Sequence, residues 1–382
     1  MKKVLFSLIL LVLTFLSCIS YANSNINVNS KNVIAIDRKS LSILFEKNGN
    51  NSIPMASTTK IMTCIVALEN SSLDSIVTVS KEASKINGST LGLHSDQKIT
   101  MNDLLYGLML RSGNDCAIAI AEYISGSVEN FAVLMNNKAK ELNLSKTNFV
   151  TPHGLDNKNH YTSAYDLAIL TDYALKNDKF KEIVSTKSTT ITIDNQTRSI
   201  QNTNELLGNF DGVYGVKTGF TFEAGRCLVS ACIRGDMDII VVVLGADTKS
   251  MRTQDSKKII NYIFENYEYI NLENTIYENF ENSIDDISKN LTLNKTTNIP
   301  EFYLENIDNY EFPFLKNEVP SLTFKYNLQT IYSPNVRKNS SVGVLSIYNN
   351  QNLITKINIY LKNSLSKNTW TFYFQKCLCD LF

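Results

Sequence analysis

The sequence predicts an α/β protein with a larger mixed domain followed by a smaller β domain. Three observations carry this. The chain has 382 residues, and a prior of roughly 150 residues per domain suggests about two domains. Over residues 30–268, segments with helical periodicity alternate with short β-branched runs. Beyond about residue 270 the helical period fades, leaving short β-branched and aromatic segments between Asn, Lys and Ser turns.

Residues 1–22 read as a secretory signal. Lys2 and Lys3 supply the positive start, residues 4–16 are almost all apolar, and Ser20-Tyr21-Ala22 offers small residues for cleavage after Ala22. The apolar run is shorter than the ~20 residues that span a bilayer, which argues against a retained anchor. Cys18 raises a lipoprotein reading, but Phe15 stands where a smaller aliphatic residue is usual.

Residues 33–36 and 41–46 then form a hairpin turned at Asp37-Arg38-Lys39-Ser40, and helical spacing follows over 58–69, 101–110, 115–123, 128–142 and 163–176. Thr100 with Asp103 makes a capping-box-like start for the second of these helices. Strand character returns over 189–193, 214–217, 227–233 and 239–244. Arg234-Gly235-Asp236 joins the last pair; it spells a cell-adhesion tripeptide, but Gly-Asp between two apolar strands predicts a hairpin turn. An amphipathic helix over 251–267 closes the region. In the β domain, strands are expected at 322–326, 342–348 and 354–361.

The predicted organisation is a signal over 1–22, a catalytic domain over 23–270, a β domain over 271–363 and a tail over 364–382. In the tail, Trp370, Phe374, Leu378 and Leu381 share one face at helical spacing, which suits a helix lying in a membrane interface. The plain alternative is a final element packed on its own domain.

Composition excludes several functions. Lys+Arg (37) equals Asp+Glu (37), so the basic footprint of a nucleic-acid binder is missing. With His94, His153 and His160 the only histidines, and neither C-x-x-C nor His-Glu-x-x-His present, a zinc enzyme is disfavoured and no cofactor is expected. Cys64 and Cys116 lie in apolar helical patterns and read as small core residues. Cys227 and Cys232, five apart in one strand, face opposite sides and cannot pair with each other.

Three short motifs carry chemistry. In Ser57-Thr58-Thr59-Lys60, a serine at a helix start has a lysine one turn on, on the same face. A serine hydroxyl needs a base near pH 7, and a lysine with a lowered pKa can serve. Ser112-Gly113-Asn114 joins two helices and can point a hydroxyl and a carboxamide into a cleft. Lys217-Thr218-Gly219 ends a strand, where Gly219 lets a ligand backbone approach, Lys217 supplies a charge and Thr218 a donor. Each motif alone is weak. Together, in this order and in these elements, they form the signature of penicillin-binding proteins and class A β-lactamases.

The chain therefore resembles the secreted serine-type D-alanyl-D-alanine carboxypeptidases, the low-molecular-weight penicillin-binding proteins. The likeness extends to Pro54-Met55-Ala56 ahead of Ser57, Leu110-Arg111 ahead of Ser112, Thr151-Pro152-His153-Gly154-Leu155, and the run from His160 to Asp166. It implies a β-lactamase/transpeptidase-like catalytic domain, an antiparallel sheet flanked by helices, with a smaller C-terminal all-β domain. It also implies that Ser57 is the acylated nucleophile, Lys60 its general base and Ser112 a proton relay. Asn114 would hold the substrate amide. Lys217 and Thr218 would face the terminal carboxylate, and Arg252 would be a second carboxylate-binding cation. The N–H groups of Ser57 and Phe220 would form the oxyanion hole. Some members carry His where Phe220 stands. His153 and His160 read as scaffold residues that order the loop before residue 163.

The implied partners are peptidoglycan stem peptides, β-lactam antibiotics as covalent inhibitors and the outer leaflet of the cytoplasmic membrane, with no nucleic acid. A β-lactamase is the nearest rival, but it needs a Glu-x-x-Leu-Asn motif, and the local candidate has Ala139 in place of the glutamate. A wall-binding scaffold that has lost catalysis is the rival from another class.

Overall fold

The structure, a computed structural model, describes residues 26–290, 300–308, 310–328 and 336–365. The residues read as a signal, those of the tail from Trp370 onward, and Cys18, Cys377 and Cys379 lie outside the described residues. One compact unit covers Asn25–Tyr267, and a second takes up the chain from Glu268.

The first unit opens with β1 (Asn32–Asp37) and β2 (Ile43–Lys47). The Asp37 carboxylate closes their turn by accepting from the Ser40 N–H at 2.7 Å and the Ser40 hydroxyl at 2.6 Å. A 3-10 turn at Ala56–Thr59 leads into α1 (Lys60–Asn70), and β3 (Ile76–Thr78), α2 (Lys81–Lys85) and β4 (Lys98–Thr100) follow. Next come α3 (Met101–Leu110), α4 (Asn114–Ser125), α5 (Val128–Glu141), α6 (Ala164–Leu175) and α7 (Asp178–Ser185). Thr100 caps α3 as its sequence suggests, accepting from the Asp103 N–H at 3.1 Å, and Ser163 caps α6 by accepting from the Asp166 N–H at 3.0 Å. The unit ends with β5 (Ser188–Ile193), β6 (Gln196–Gln201), β7 (Val213–Thr221), β8 (Gly225–Arg234), β9 (Met237–Ala246) and α8 (Lys249–Asn266). Helix α7 was not expected. Asn177 caps it at the Phe180 N–H (3.0 Å), and Phe180, Ile183 and Val184 bury one short face.

A five-stranded antiparallel sheet in the order β2-β1-β9-β8-β7 organises this unit. Ile34, Ile36, Ile240, Val242 and Leu244 join the main core with α1, while Val33, Ala35, Ile239, Val241 and Val243 are buried outside that cluster. Alternate residues of a strand face opposite sides, so both faces of the sheet are covered. Helix α8 packs on β8 and β9 through buried Ile259, Ile260 and Ile263, which also lie outside the main cluster, so it covers the second face. On the first face α1 is central, packed by α3, α4, α5, α6 and α7, with every residue from Lys60 to Ala67 buried. Strand β7 is an edge, so part of its main chain has no strand partner. Arg234-Gly235-Asp236 is the tight turn between β8 and β9, as expected.

The second unit carries β10 (Tyr267–Asn271), α9 (Glu273–Asn290), β11 (Phe302–Leu304), β12 (Glu311–Leu315), β13 (Leu322–Leu328), β14 (Ser341–Asn349) and β15 (Asn352–Leu361). Its four-stranded antiparallel sheet runs β11-β15-β14-β13 and shares a core with Leu272, Ile276 and Phe280. The expectation of an all-β domain is thus corrected: a β-rich unit begins with an 18-residue helix. Leu272, Ile276, Phe280 and Ile284 recur at four-residue spacing, but Asn274, Asn279 and Asn282 lower the local propensity and hid the pattern. Burial of that one face stabilises the helix.

Candidate active site

Ser57 sits in the 3-10 turn ahead of α1, half-buried, on a backbone that several contacts hold in place. Ala56 has φ 50°, in the left-handed region that L-residues seldom occupy. Its carbonyl accepts from Thr59 Oγ1 at 2.8 Å, and Thr58 Oγ1 donates to Met55 O at 2.6 Å. Gly154 (φ +85°) passes so close that a Cβ there would stand 2.0 Å from the Ala56 carbonyl oxygen. His160 Nδ1 accepts the Val150 N–H at 3.0 Å, which leaves Nε2–H to donate to Thr59 Oγ1 at 2.8 Å. Burial first, and Lys60 second, pull the His160 pKa down to about 4, so the ring is neutral near pH 7. His153 is likewise pulled down to about 3, by burial and then by Lys60.

Lys60 is fully buried. Its Nζ donates to Asn114 Oδ1 at 2.8 Å and to His153 O at 2.7 Å, and lies 2.9 Å from Ser57 Oγ. Burial, and next the charge of Lys217, hold its pKa well below that of an ordinary lysine. A neutral amine has two N–H donors and one lone pair. Asn114 Oδ1 and His153 O can only accept, so they take the hydrogens. The lone pair is left for the Ser57 O–H, and Lys60 can receive the serine proton. The orientation of Asn114 is fixed independently, because its Nδ2 donates to Asn87 O at 2.7 Å.

Asn114 is the first residue of α4, and Gly113 stands at the cap. The next residue, Asp115, is buried and accepts from the N–H groups of Leu91 (2.9 Å), Gly92 (2.8 Å), Leu93 (3.0 Å) and Cys116 (2.9 Å). The Asn114 N–H donates to Ser89 O at 2.8 Å. Residues 87–93 are thereby held around the start of α4. Asn114 does not present a free carboxamide: Oδ1 serves Lys60, and only the second Nδ2 hydrogen remains for a substrate carbonyl.

Ser112 is buried with φ 60°. Lys217 Nζ donates to its Oγ at 3.0 Å and to Thr218 O at 3.0 Å. Burial, then the charge of Arg252, push the Lys217 pKa down to about 7. Strand β7 passes close beside the Ser57 turn: a Cβ on Gly219 would stand 3.1 Å from Ser57 N and 3.1 Å from Ala56 Cβ. That closeness puts the strand's main chain next to Ser57. Phe220 is exposed, with the Arg226 guanidinium 3.7 Å from its ring centroid and Phe222 edge-on at 5.7 Å. Arg252 is buried, but it is not a free cation. Its guanidinium donates to Glu205 Oε1 and, at 3.5 Å, to Cys227 O.

A family model described as D-alanyl-D-alanine carboxypeptidase matches residues 19–248. That is more than half of the chain. The chain belongs to the D-alanyl-D-alanine carboxypeptidase family. Within the family it is 37% identical over 245 residues to D-alanyl-D-alanine carboxypeptidase DacF of Bacillus subtilis, covering 63% of each protein. The chain therefore spans less than two thirds of that relative. DacA of Haemophilus influenzae is 30% identical over 346 residues, covering 84% of this chain and 87% of the relative. Among solved structures, the Streptomyces K15 DD-transpeptidase matches 63% of this chain at 34% identity with a TM-score of 0.61. D-alanyl-D-alanine carboxypeptidase DacD of Francisella tularensis matches 92% at 25% identity with a TM-score of 0.68.

The family fold thus brings all three motifs side by side, with Ser57, Lys60 and Asn114 in one hydrogen-bonded cluster, Ser112 with Lys217 in another, and Gly219 close against Ser57. Several supporting groups left no mark in the motifs. The main-chain carbonyls of His153 and Asn87 carry no side-chain signal. Thr203 Oγ1 pairs with Thr218 Oγ1 at 2.9 Å, and Glu205 holds Arg252. His153 and His160 prove to support the Ser57 turn and Lys60 directly, which a role in loop ordering alone did not anticipate.

Proposed function

We propose that this chain is a serine D,D-carboxypeptidase that removes the terminal D-alanine of peptidoglycan stem pentapeptides through a Ser57 acyl-enzyme. The observation that supports it most is Lys60, buried and with its pKa held well below that of an ordinary lysine, whose neutral form has one lone pair left for the Ser57 hydroxyl. Ser57 Oγ attacks the carbonyl carbon of the penultimate D-alanine as its proton passes to Lys60 Nζ. The N–H groups of Ser57 and Phe220 bind the oxyanion. The C–N bond then breaks, and D-alanine leaves with a proton relayed by Lys60 or Ser112. Water hydrolyses the ester and restores Ser57. Penicillin enters by the same attack and stays, since its acyl group keeps the ring-derived leaving group attached. The direct test is release of D-alanine from a synthetic pentapeptide by the mature protein, with the residue labelled by a fluorescent penicillin mapped by mass. Release without a label on Ser57 would refute the mechanism.

Lys217, together with Thr218 and Thr203, is the group this reading sets against the substrate carboxylate. Amidating that carboxylate is expected to cost about 1.5–3 kcal/mol of charged hydrogen bonding, read as a lower kcat/KM for the amide. Equal cleavage of amide and acid would remove carboxylate recognition from the account.

We also propose that residues 1–22 direct the chain across the cytoplasmic membrane and that the tail attaches it to the outer face. Trp370, Phe374, Leu378 and Leu381 support the second point by their shared helical spacing. Only Lys376 would attract anionic lipid, and Asp380 opposes it, so binding should resist high salt. Deleting residues 368–382 is expected to release the protein from vesicles of anionic phospholipid and leave peptide cleavage unchanged. A truncated protein that still sediments with vesicles would assign attachment elsewhere.

A further inference from the structure

Glu205 belongs to none of the three motifs, yet it engages a cation beside them. It lies in the connection from β6 to β7, two residues after Thr203, whose hydroxyl is 2.9 Å from that of Thr218. The Glu205 carboxylate accepts from the Arg252 guanidinium and from Thr253 Oγ1 on α8, and exposed Lys249 stands 3.7 Å away. Arg252 in turn reaches Cys227 O at 3.5 Å, and Cys227 is the register partner of Gly219 on β7. The ion pair therefore lies alongside the Thr218–Gly219 end of the strand. Glu205 Oε2 and Arg252 Nε are both buried without a hydrogen-bond partner. The hydrogen bonds from Thr253 and Arg252 outweigh burial and keep the Glu205 carboxyl below its ordinary range, so it is ionised at neutral pH.

We propose that Glu205 is a specificity-determining residue: an internal carboxylate that occupies Arg252 and lowers the selectivity of the site for substrates with a free C-terminal carboxylate. An incoming carboxylate meets a guanidinium whose charge is already balanced, and it competes with Glu205 for the same donors. Thr253 and Lys249 can retain Glu205 if Arg252 turns to the substrate. The cation available without competition is Lys217. Glu205 acts through Arg252 and is a positioning residue, not a catalytic one. The inference rests on the carboxypeptidase reading.

The test compares kcat/KM for a peptide ending in D-alanyl-D-alanine with that for its C-terminal amide, on the same preparation, so any inactive fraction cancels from the ratio. Glu205→Gln keeps size and an acceptor but removes the charge. It is expected to raise the acid-to-amide ratio roughly three- to tenfold, mainly by lowering KM for the acid, and less so at high salt. Glu205→Asp keeps the charge and should hold the wild-type ratio. Glu205→Ala carries the same expectation as Glu205→Gln should the latter fold poorly. A ratio that stays level or falls in Glu205→Gln and Glu205→Ala overturns the inference alone. A wild-type protein that releases no D-alanine overturns the carboxypeptidase reading, and this inference with it.

Discussion

Ser57→Ala is expected to abolish both penicillin labelling and D-alanine release while the fold persists. The Ser57 side chain is half-buried, and its hydroxyl serves Lys60 alone among the contacts described, so its loss leaves little else unsatisfied. Removing an attacking atom eliminates the covalent route, and what remains is whatever the oxyanion donors achieve with water. Circular dichroism and thermal unfolding check the fold, and a gel-based fluorescent penicillin assay checks acylation. A folded Ser57→Ala protein that still labels would place the nucleophile elsewhere.

Lys60→Ala should lower the acylation rate by roughly 10²–10⁴, the range for a removed general base. It should also lower the melting temperature, because Asn114 Oδ1 and His153 O lose their buried donor. Leaving such acceptors unpaired costs about 1–3 kcal/mol each. Lys60→Arg separates base from charge. A guanidinium keeps donors and a positive charge but does not lose its proton in a protein, so a base role predicts that Lys60→Arg is inactive too. If Lys60→Arg acylates at the wild-type rate, Lys60 acts through its charge and the lone-pair mechanism fails. The same logic sets the sign of the pH dependence. Lys60 has a pKa well below that of an ordinary lysine, and protonation fills the lone pair that Ser57 needs. Acylation should therefore fall as pH drops through that pKa and recover as it rises. Lys217, pushed down to about 7, acts in the opposite sense, since its cationic form favours a substrate carboxylate. The two limbs should give a bell-shaped kcat/KM profile.

Much of the site was legible because its chemistry is spaced locally. Ser57 and Lys60 are one helical turn apart, and the order of Ser112-Gly113-Asn114 and Lys217-Thr218-Gly219 along the chain matches a known signature. The main strands were legible for a related reason. In β9, the run from Ile239 to Leu244 is continuously apolar, and the period of a buried segment is written in neighbouring residues. Helix α9 was not, since the apolar face of Ile276, Phe280 and Ile284 is diluted by asparagine and acid, and only the facing strands give it something to bury against.

The sequence by itself determined the family, the pairing of Ser57 with Lys60 one turn on, and the mixed α/β character of the larger unit. Each of these depends on residues close in the chain or on their order. Tertiary structure decided the states of the charged groups. Burial and the charge of Lys217 together lower the pKa of Lys60, and burial and the charge of Arg252 lower that of Lys217 to about 7. Asn114 is turned toward Lys60 by Asn87, and Arg252 is occupied by Glu205, 47 residues earlier in the chain. Those partners meet only when the sheet and helices close around them. Desolvation and Coulomb interactions depend on distance and burial in space, which no local spacing encodes.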